Sequence, residues 1–223
     1  MLRAFALLAL LCVRAESAVP SFEALGLRGA AAIVAGGDIR SPEVPPVPPS
    51  AQASPMLWGA RELLQPTPVS GLVRWQDMLE RHRAGRSSRW RTVFEDLRGR
   101  PEKEQMELVH SRWNQVPYKP DSRDNGWATP EEFMRDGGDC EEYAVAKYFS
   151  LRELGWSSER LRILVVHHHL LGLKHAVLLV RLEGSAWILD NLSWSVYRTE
   201  ENVFYTPLFS FNEDAWWGYK TLR

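Results

Sequence analysis

The spacing of the hydrophobic residues changes at Gly155, and this change constrains the fold more than any other feature of the chain. Before Gly155, apolar residues recur every three or four positions, as they do on one face of a helix. After it come Arg162–His168 and His175–Leu182, which are rich in β-branched and aliphatic residues and are typical of strands. Helices followed by consecutive strands predict an α+β fold.

Several helices are predicted before the change. Residues 117–138 are rich in Pro and Gly and are predicted to be a loop. In the helix that follows this loop, Ala144, Tyr148 and Leu151 share one face, and Gly155 is a natural C-terminal stop. The spans of the three earlier helices are approximately Gly71–His82, Ser88–Leu97 and Pro101–Trp113.

The second half of the chain is predicted to form an antiparallel meander. The segment Leu171–Lys174 can turn between Arg162–His168 and His175–Leu182, which gives a hairpin. A second turn at Glu183–Ser185 leads to a third strand over Ala186–Asp190.

The N-terminus reads as a secretory signal followed by a flexible segment. Arg3 precedes an apolar stretch over Ala4–Val13, which is too short to span a bilayer as a mature helix. Residues 41–55 contain six prolines, as expected of an extended linker. We expect residues 1–18 to be a signal peptide, 19–55 a Pro/Ala/Gly-rich flexible segment and 56–223 the folded domain. The other interpretation of residues 1–18 is an uncleaved anchor.

Cysteine content and charge exclude several classes of protein. The chain of 223 residues has two cysteines, so it is neither a disulfide-rich mini-protein nor a CxxC zinc or iron–sulfur protein. Removal of the signal would take away Cys12 and leave Cys140 as a lone thiol in an oxidising compartment. The net charge of −1 gives no indication of a nucleic-acid partner. The arginines between residues 74 and 100 alternate with acids, which favours a solvated helical face over a nucleic-acid groove.

Cys140 is the centre of a predicted catalytic site. It lies in the first turn of its helix, where free N–H groups and the helix dipole lower the pKa of a thiol, although the neighbouring glutamates oppose this effect. His175 begins the second strand of the meander and Asp190 ends the third, so the two lie side by side. Asp190 can then hold one nitrogen of the His175 ring while the other faces Cys140. This nucleophile, base and orienting acid fit a papain-like or transglutaminase-like core. The alternatives are a buried structural cysteine and an Asp190 that only caps its strand.

Acidic residues surround the cysteine. Asp139, Glu141 and Glu142 are either helix-capping acids or ligands of a hard cation, most plausibly calcium, and their spacing leaves both interpretations open. His167–His169 resembles a metal-binding run, but adjacent strand residues point to opposite faces and do not easily share one ion.

Separated motifs then indicate a family. Over residues 57–223 the sequence resembles the LapG-type bacterial transglutaminase-like cysteine proteinases. The motifs that carry the resemblance are WNxxPY (113–118), WATPEEF (127–133), GDCEEYAxAKYF (138–149), LRELG (151–155), HAVL (175–178), LDNL (189–192) and FSFNE (209–213).

The resemblance implies a periplasmic, calcium-dependent endopeptidase that clips the N-terminal region of a large surface adhesin and so releases biofilm cells. It also implies an inner-membrane receptor for cyclic di-GMP that holds the protease inactive. By position in the motifs, Cys140 resembles the nucleophile, His175 the base and Asp190 the orienting acid, while Asp139, Glu141 and Glu142 fall on the calcium stretch. Glu142 stands where the family more often has Asp.

Two other functions remain open at this point. The same Cys-His-Asp core could transfer the acyl group to an amine, as a transglutaminase or amidase does. A catalytically silent module that docks in a calcium-dependent manner is the second alternative.

Overall fold

The computed structural model describes residues 57–63, 67–85, 89–120 and 126–221, which form helices packed on an antiparallel sheet. The predicted signal peptide and the segment 19–55 lie outside the described residues. The helices are α1 (Val73–Ala84), α2 (Arg89–Thr92), α3 (Glu102–Trp113), α4 (Pro130–Asp136) and α5 (Cys140–Glu153). The strands are β1 (Ala60–Glu62), β2 (Thr67–Pro68), β3 (Leu161–His168), β4 (Leu173–Leu182), β5 (Ser185–Leu189), β6 (Tyr197–Arg198), β7 (Tyr205–Phe211) and β8 (Ala215–Thr221).

The strands form one sheet in the order β1-β8-β7-β3-β4-β5-β6, with β2 also pairing to β8. The pairs are antiparallel, and β3, β4 and β5 form the meander that the sequence predicts. Val166 lies opposite His175 across the β3–β4 pair, which places the start of β4 in the interior of the sheet. The α+β class predicted from the sequence is confirmed.

Helix α5 lies against the sheet and is buried on nearly all sides. Its residues from Glu142 to Leu151 are buried, and it packs against β4, α3 and α4. A helix that is apolar around most of its circumference belongs in the interior of a domain. Aromatic side chains fill the space around it: the Trp75 ring contacts Tyr148, Phe149 and Phe211 at centroid distances of 5.1–6.0 Å.

The predicted helix over Ser88–Leu97 is shorter in the structure. Helix α2 ends at Thr92, and Phe94 has a ψ of 2°, outside the helical range, before a short 3-10 turn at Glu95–Leu97. The Arg112 guanidinium donates to the carbonyl oxygen of Val93 and to both carboxylate oxygens of Asp96. These long-range contacts fix the irregular backbone in place of a continuous helix.

The predicted loop over residues 117–138 contains helix α4. Thr129 and Glu132 form a capping box, and Pro130 occupies the first turn. The loop prediction was therefore wrong over Pro130–Asp136, although Thr-Pro-Glu-Glu carries a helix-start signal. In the described part of the chain, no helix has the length and apolar character that membrane crossing requires.

Candidate active site

Two glycines set the position at which helix α5 begins. Gly137 ends α4 with a φ of +76°, a conformation that side-chain-bearing residues rarely adopt. A Cβ on Gly138 would lie 2.7 Å from Cγ of Glu142. Glu142 approaches this closely because its Oε2 accepts a hydrogen bond of 3.0 Å from the Asp139 N–H, as at a helix N-terminus. The chain therefore enters α5 along one tight path, with Cys140 in the first turn.

The Cys140 thiol lies among acidic groups. Its Sγ donates a hydrogen bond of 3.1 Å to Oε2 of Glu141. Burial raises the pKa of the thiol well above its usual range, and the charges of Glu141 and Asp139 raise it further. The backbone N–H of Ala176 acts in the opposite direction. In the structure, burial and the acids thus outweigh the pKa-lowering effect expected from the start of the helix.

His175 and Asp190 form a buried pair. Nε2 of His175 lies 2.8 Å from Oδ1 of Asp190, and both side chains are about 3% exposed. The Asp190 carboxylate also accepts hydrogen bonds from the Leu192 N–H and from the hydroxyls of Tyr197 and Tyr205. Burial alone would raise the pKa of Asp190, but the His175 ring and these donors hold it below its usual range.

The three residues predicted as a triad are brought to one place. Cys140 and His175 line the same cavity, of about 250 Å³, at the start of α5 and β4. Because Nε2 of His175 faces Asp190, Nδ1 is the ring nitrogen available to the thiol. The thiol itself donates to Glu141 in the structure, so the grouping offers a base beside the thiol, as nucleophilic catalysis by a cysteine needs, without a formed Cys140–His175 hydrogen bond.

The walls of this cavity are mostly apolar, and its charged groups come from three elements. Arg74, Glu141 and Lys174 supply the charges. Such a cavity can take an apolar side chain of an extended peptide beside the thiol. The apolar lining residues are Leu72, Val73, Trp75, Trp127, Val165, Ala176 and Phe209.

The acidic residues at the start of α5 separate into two kinds. One ligand atom each from Asp139, Cys140 and Glu141 lies within 4.8 Å of the others, so two carboxylates converge there. Glu142 is engaged differently, because its oxygens accept from the N–H groups of Ala128 and Asp139, each at 3.0 Å. Burial and the charge of Asp139 raise the pKa of Glu142 to about 7. Its role as a calcium ligand stays a prediction.

The histidine run is divided between two environments. His168 is buried with its ring 5.0 Å from that of Tyr205, whereas the rings of His167 and His169 contact each other at 5.2 Å. In the described residues these histidines form no group of three potential ligands.

Sequence reasoning missed the residues that hold Asp190. Tyr197 and Tyr205 come from β6 and β7, which the sequence did not predict, so no signal identified them. Asn114, in the WNxxPY motif, donates from Nδ2 to the carbonyl oxygens of Asp190 (3.3 Å) and Ser193 (2.9 Å). The WNxxPY motif marked Asn114 as a residue of interest. Its contact with the turn over residues 190–193 could be recognised only in the folded structure.

Comparison with known families shows which family the chain belongs to. The model of the bacterial transglutaminase-like cysteine proteinases matches residues 98–217, more than half of the chain, including Cys140, His175 and Asp190. The chain belongs to this family. The resemblance found in the motifs is thereby confirmed, and the cysteine proteinase class with it.

Solved structures of LapG from Legionella pneumophila are similar to this proteinase. The calcium-bound form is 29% identical, with a TM-score of 0.54, and the match covers 64% of this chain and 86% of that one. An EGTA-treated form is also 29% identical, with a TM-score of 0.54, over 69% of this chain and 87% of that one. No curated protein matches the sequence.

Proposed function

We propose that this proteinase is a calcium-dependent endopeptidase with Cys140 as nucleophile, His175 as general base and Asp190 as the acid that orients the base. The observation that carries the proposal is the buried His175–Asp190 hydrogen bond beside a cavity that Cys140 also lines. Membership of a cysteine proteinase family supports the same assignment.

The residues suggest the following steps. Nδ1 of His175 takes the proton from Sγ of Cys140, and the thiolate attacks the scissile carbonyl carbon. The backbone N–H of Cys140, at a helix N-terminus, is a candidate donor to the developing oxyanion. His175 then gives its proton to the leaving amine. A water molecule, deprotonated by His175, hydrolyses the thioester and restores the thiol.

Glu141 has a part in this sequence, because the thiol donates to its carboxylate in the structure. For His175 to receive the proton, the thiol must turn away from Glu141. A Glu141 carboxylate occupied by a cation would be a weaker acceptor for the thiol, which favours transfer to His175.

Asp139 and Glu141 are the residues that would hold calcium. Their oxygens converge on one point, and carboxylate oxygens are the ligands that calcium prefers. When bound, the ion would neutralise negative charge beside the sulfur. The calcium-bound and EGTA-treated forms of LapG support the choice of metal. Glu142 is proposed as a third ligand, through lone pairs that its two backbone hydrogen bonds leave open.

The setting of the reaction is proposed from the same resemblance. The protein would be exported by residues 1–18 and act in the periplasm on the N-terminal region of a large surface adhesin. Cleavage would release the adhesin and promote biofilm dispersal, and an inner-membrane receptor for cyclic di-GMP would inhibit the enzyme. The supporting observations are the LapG-type motifs and the similarity to LapG.

The deciding experiment incubates the full chain with a purified N-terminal adhesin fragment from the same organism, in calcium and in EGTA. We expect one defined cut in calcium, none in EGTA and none with Cys140→Ala. Ser150→Ala is the matched control, because this buried residue lies on the same helix and bonds Trp113 away from the cavity. Mass spectrometry with an added amine separates hydrolysis from acyl transfer. Reactivity of Cys140 is measured in parallel by alkylation with iodoacetamide. A protein that binds calcium but neither cleaves the fragment nor is alkylated at Cys140 would be a silent binding module, which would contradict the proposal.

A further inference from the structure

A fully buried lysine lies on the helix that carries the candidate nucleophile. Lys147 comes seven positions after Cys140 on α5, so the two residues share one face of the helix. Its side chain is 0% exposed, and Nζ makes no hydrogen bond to any described residue. Nζ lies over the Tyr143 ring, 5.6 Å from its centroid, within the range of a cation–π contact. Burying an ammonium group with so few partners is costly, and the steps proposed above give it no role.

Two side chains at the C-terminal end of α3 have unused hydrogen-bonding atoms as well. Nδ1 of His110 and Oδ1 of Asn114 are buried and have no hydrogen-bond partner among the described residues. If Nε2 of His110 carries the proton directed at the Ser193 carbonyl, 3.2 Å away, then Nδ1 is an acceptor. Lys147 thus has unused donors, and His110 and Asn114 each have one unused acceptor. We call these three residues the polar cluster.

The polar cluster adjoins the turn that begins with Asp190. Asn114 holds the carbonyl oxygens of Asp190 and Ser193, and His110 holds that of Ser193. Helix α3, which carries His110 and ends just before Asn114, packs against α5, which carries Lys147. The same turn delivers the Asp190 carboxylate to His175.

The charges of these groups affect one another. Burial lowers the pKa of Lys147 to about 7, while the negative charge of Asp190 acts to raise it. Burial, and then the positive charge of Lys147, lower the pKa of His110 to about 3. Lys147 is therefore within electrostatic reach of both Asp190 and the residue that pins its turn.

We propose that Lys147 is a positioning residue of the active site. Its buried ammonium group offsets the charge of Asp190, while His110 and Asn114 hold the turn through which Asp190 orients His175. The proposal rests on the proposed function, since the group being positioned is the candidate triad. Lys147 does not line the cavity, so its loss should lower kcat and leave KM nearly unchanged.

The test compares Lys147→Met, which keeps the length of the side chain and removes its charge, with Ser150→Ala. Ser150 is a suitable control because it is buried on the same helix and its hydrogen-bond partners, Trp113 and Ala146, are not residues of the Asp190 turn. Four quantities are measured on the full chain: kcat and KM on the adhesin fragment, the melting temperature, and the low-field proton resonance of the His175–Asp190 hydrogen bond.

We expect Lys147→Met to lower kcat about tenfold with KM changed less than about twofold, as misorientation of a catalytic group does. The low-field resonance should shift, while the melting temperature stays the same or rises, because a poorly partnered buried charge has been removed. Ser150→Ala should keep kcat and the resonance and should melt at a lower temperature. A residue that only fills space would lower the melting temperature and leave the resonance in place.

Wild-type kcat and an unshifted resonance in Lys147→Met would overturn the proposal. If that variant does not fold, Lys147→Arg decides: the charge is kept, so the resonance should stay near its wild-type position, and its loss would contradict a role for charge. If the wild type cuts no adhesin fragment, the proposed function fails by itself. The response of the resonance to Lys147→Met still decides whether the lysine positions the pair.

Discussion

The candidate active site has two acidic regions, one around Asp190 and one at the start of α5, and their negative charge is stabilised in different ways. Asp190 is a single carboxylate that receives hydrogen bonds from His175, Tyr197, Tyr205 and the Leu192 N–H, and its pKa lies below the usual range. At the start of α5, the carboxylates of Asp139 and Glu141 converge instead on each other and on the thiol.

The difference separates two tasks. The Asp190 region is complete within the fold and needs no ion to keep its charge. The helix start concentrates negative charge, and a bound cation would relieve the repulsion. We therefore expect orientation of the base to be independent of calcium and delivery of the nucleophile to depend on it.

The largest expected effect comes from removing Cys140, the candidate nucleophile, which lies where the two regions meet. Cys140→Ala should abolish cleavage, a loss of at least about a thousandfold, because no other described residue that lines the cavity carries a thiol or hydroxyl group. Calcium affinity and the low-field resonance should stay close to wild type. Gel analysis of the adhesin fragment and calcium titration calorimetry measure the two outcomes, and retained cleavage would remove the triad.

Asp190→Asn tests the region that is complete within the fold. The amide cannot stabilise the imidazolium as the carboxylate does, so we expect kcat to fall about a hundredfold to ten-thousandfold. Calcium affinity should be unaffected. Calorimetry on this variant sharpens the comparison, and a large loss of calcium binding would mean that the two regions are not independent.

Asp139→Asn is the reciprocal test at the helix start. It should weaken calcium binding about tenfold or more, since a charged oxygen ligand is replaced by a neutral one. At saturating calcium, kcat should recover most of the wild-type value, and the low-field resonance should not move. Equal calcium affinity in the two proteins would count against the metal site.

The smallest effect is the pH dependence of stability from the polar cluster. The pKa of His110 is about 3 in the fold and about 6.5 when unfolded, so below pH 6.5 the unfolded chain binds a proton that the native chain does not. This group therefore lowers stability as the pH falls from about 6.5 towards 3, by at most about 1.4 kcal/mol per pH unit.

Denaturant titrations at pH 7, 6 and 5 measure this dependence. His110→Gln should flatten it, whereas His169→Gln, at an exposed position, should leave it as in the wild type. The same slope in wild type and His110→Gln would show that other groups control acid stability around Asp190.

Much of the fold, and the grouping of Cys140, His175 and Asp190 at one place, could be predicted from the sequence for local reasons. The period change at Gly155, the burial pattern of α5 and the hairpin over β3 and β4 depend on neighbouring residues. Once an antiparallel meander was predicted, geometry placed the start of β4 beside the end of β5, and so His175 beside Asp190.

The rest depends on distant contacts. Tyr205 reaches Asp190 only because β7 pairs with β3 on the side away from β4, a choice that no local pattern in the sequence reveals. The break after α2 depends on Arg112, which is far away in the chain. The extent to which Glu141 and Asp139 raise the pKa of the Cys140 thiol depends on how deeply the site is buried, and the spacing of residues in the sequence does not give this burial.

The strand order has a further consequence for how the chain would behave when crowded. The outermost strands of the described sheet are its short ones, with three residues in β1 and two in β6, while the long β3 and β4 lie between neighbours. An edge of so few residues offers little unpaired backbone for a strand of another molecule to join. The long, apolar strands that could template aggregation are thus kept away from other chains.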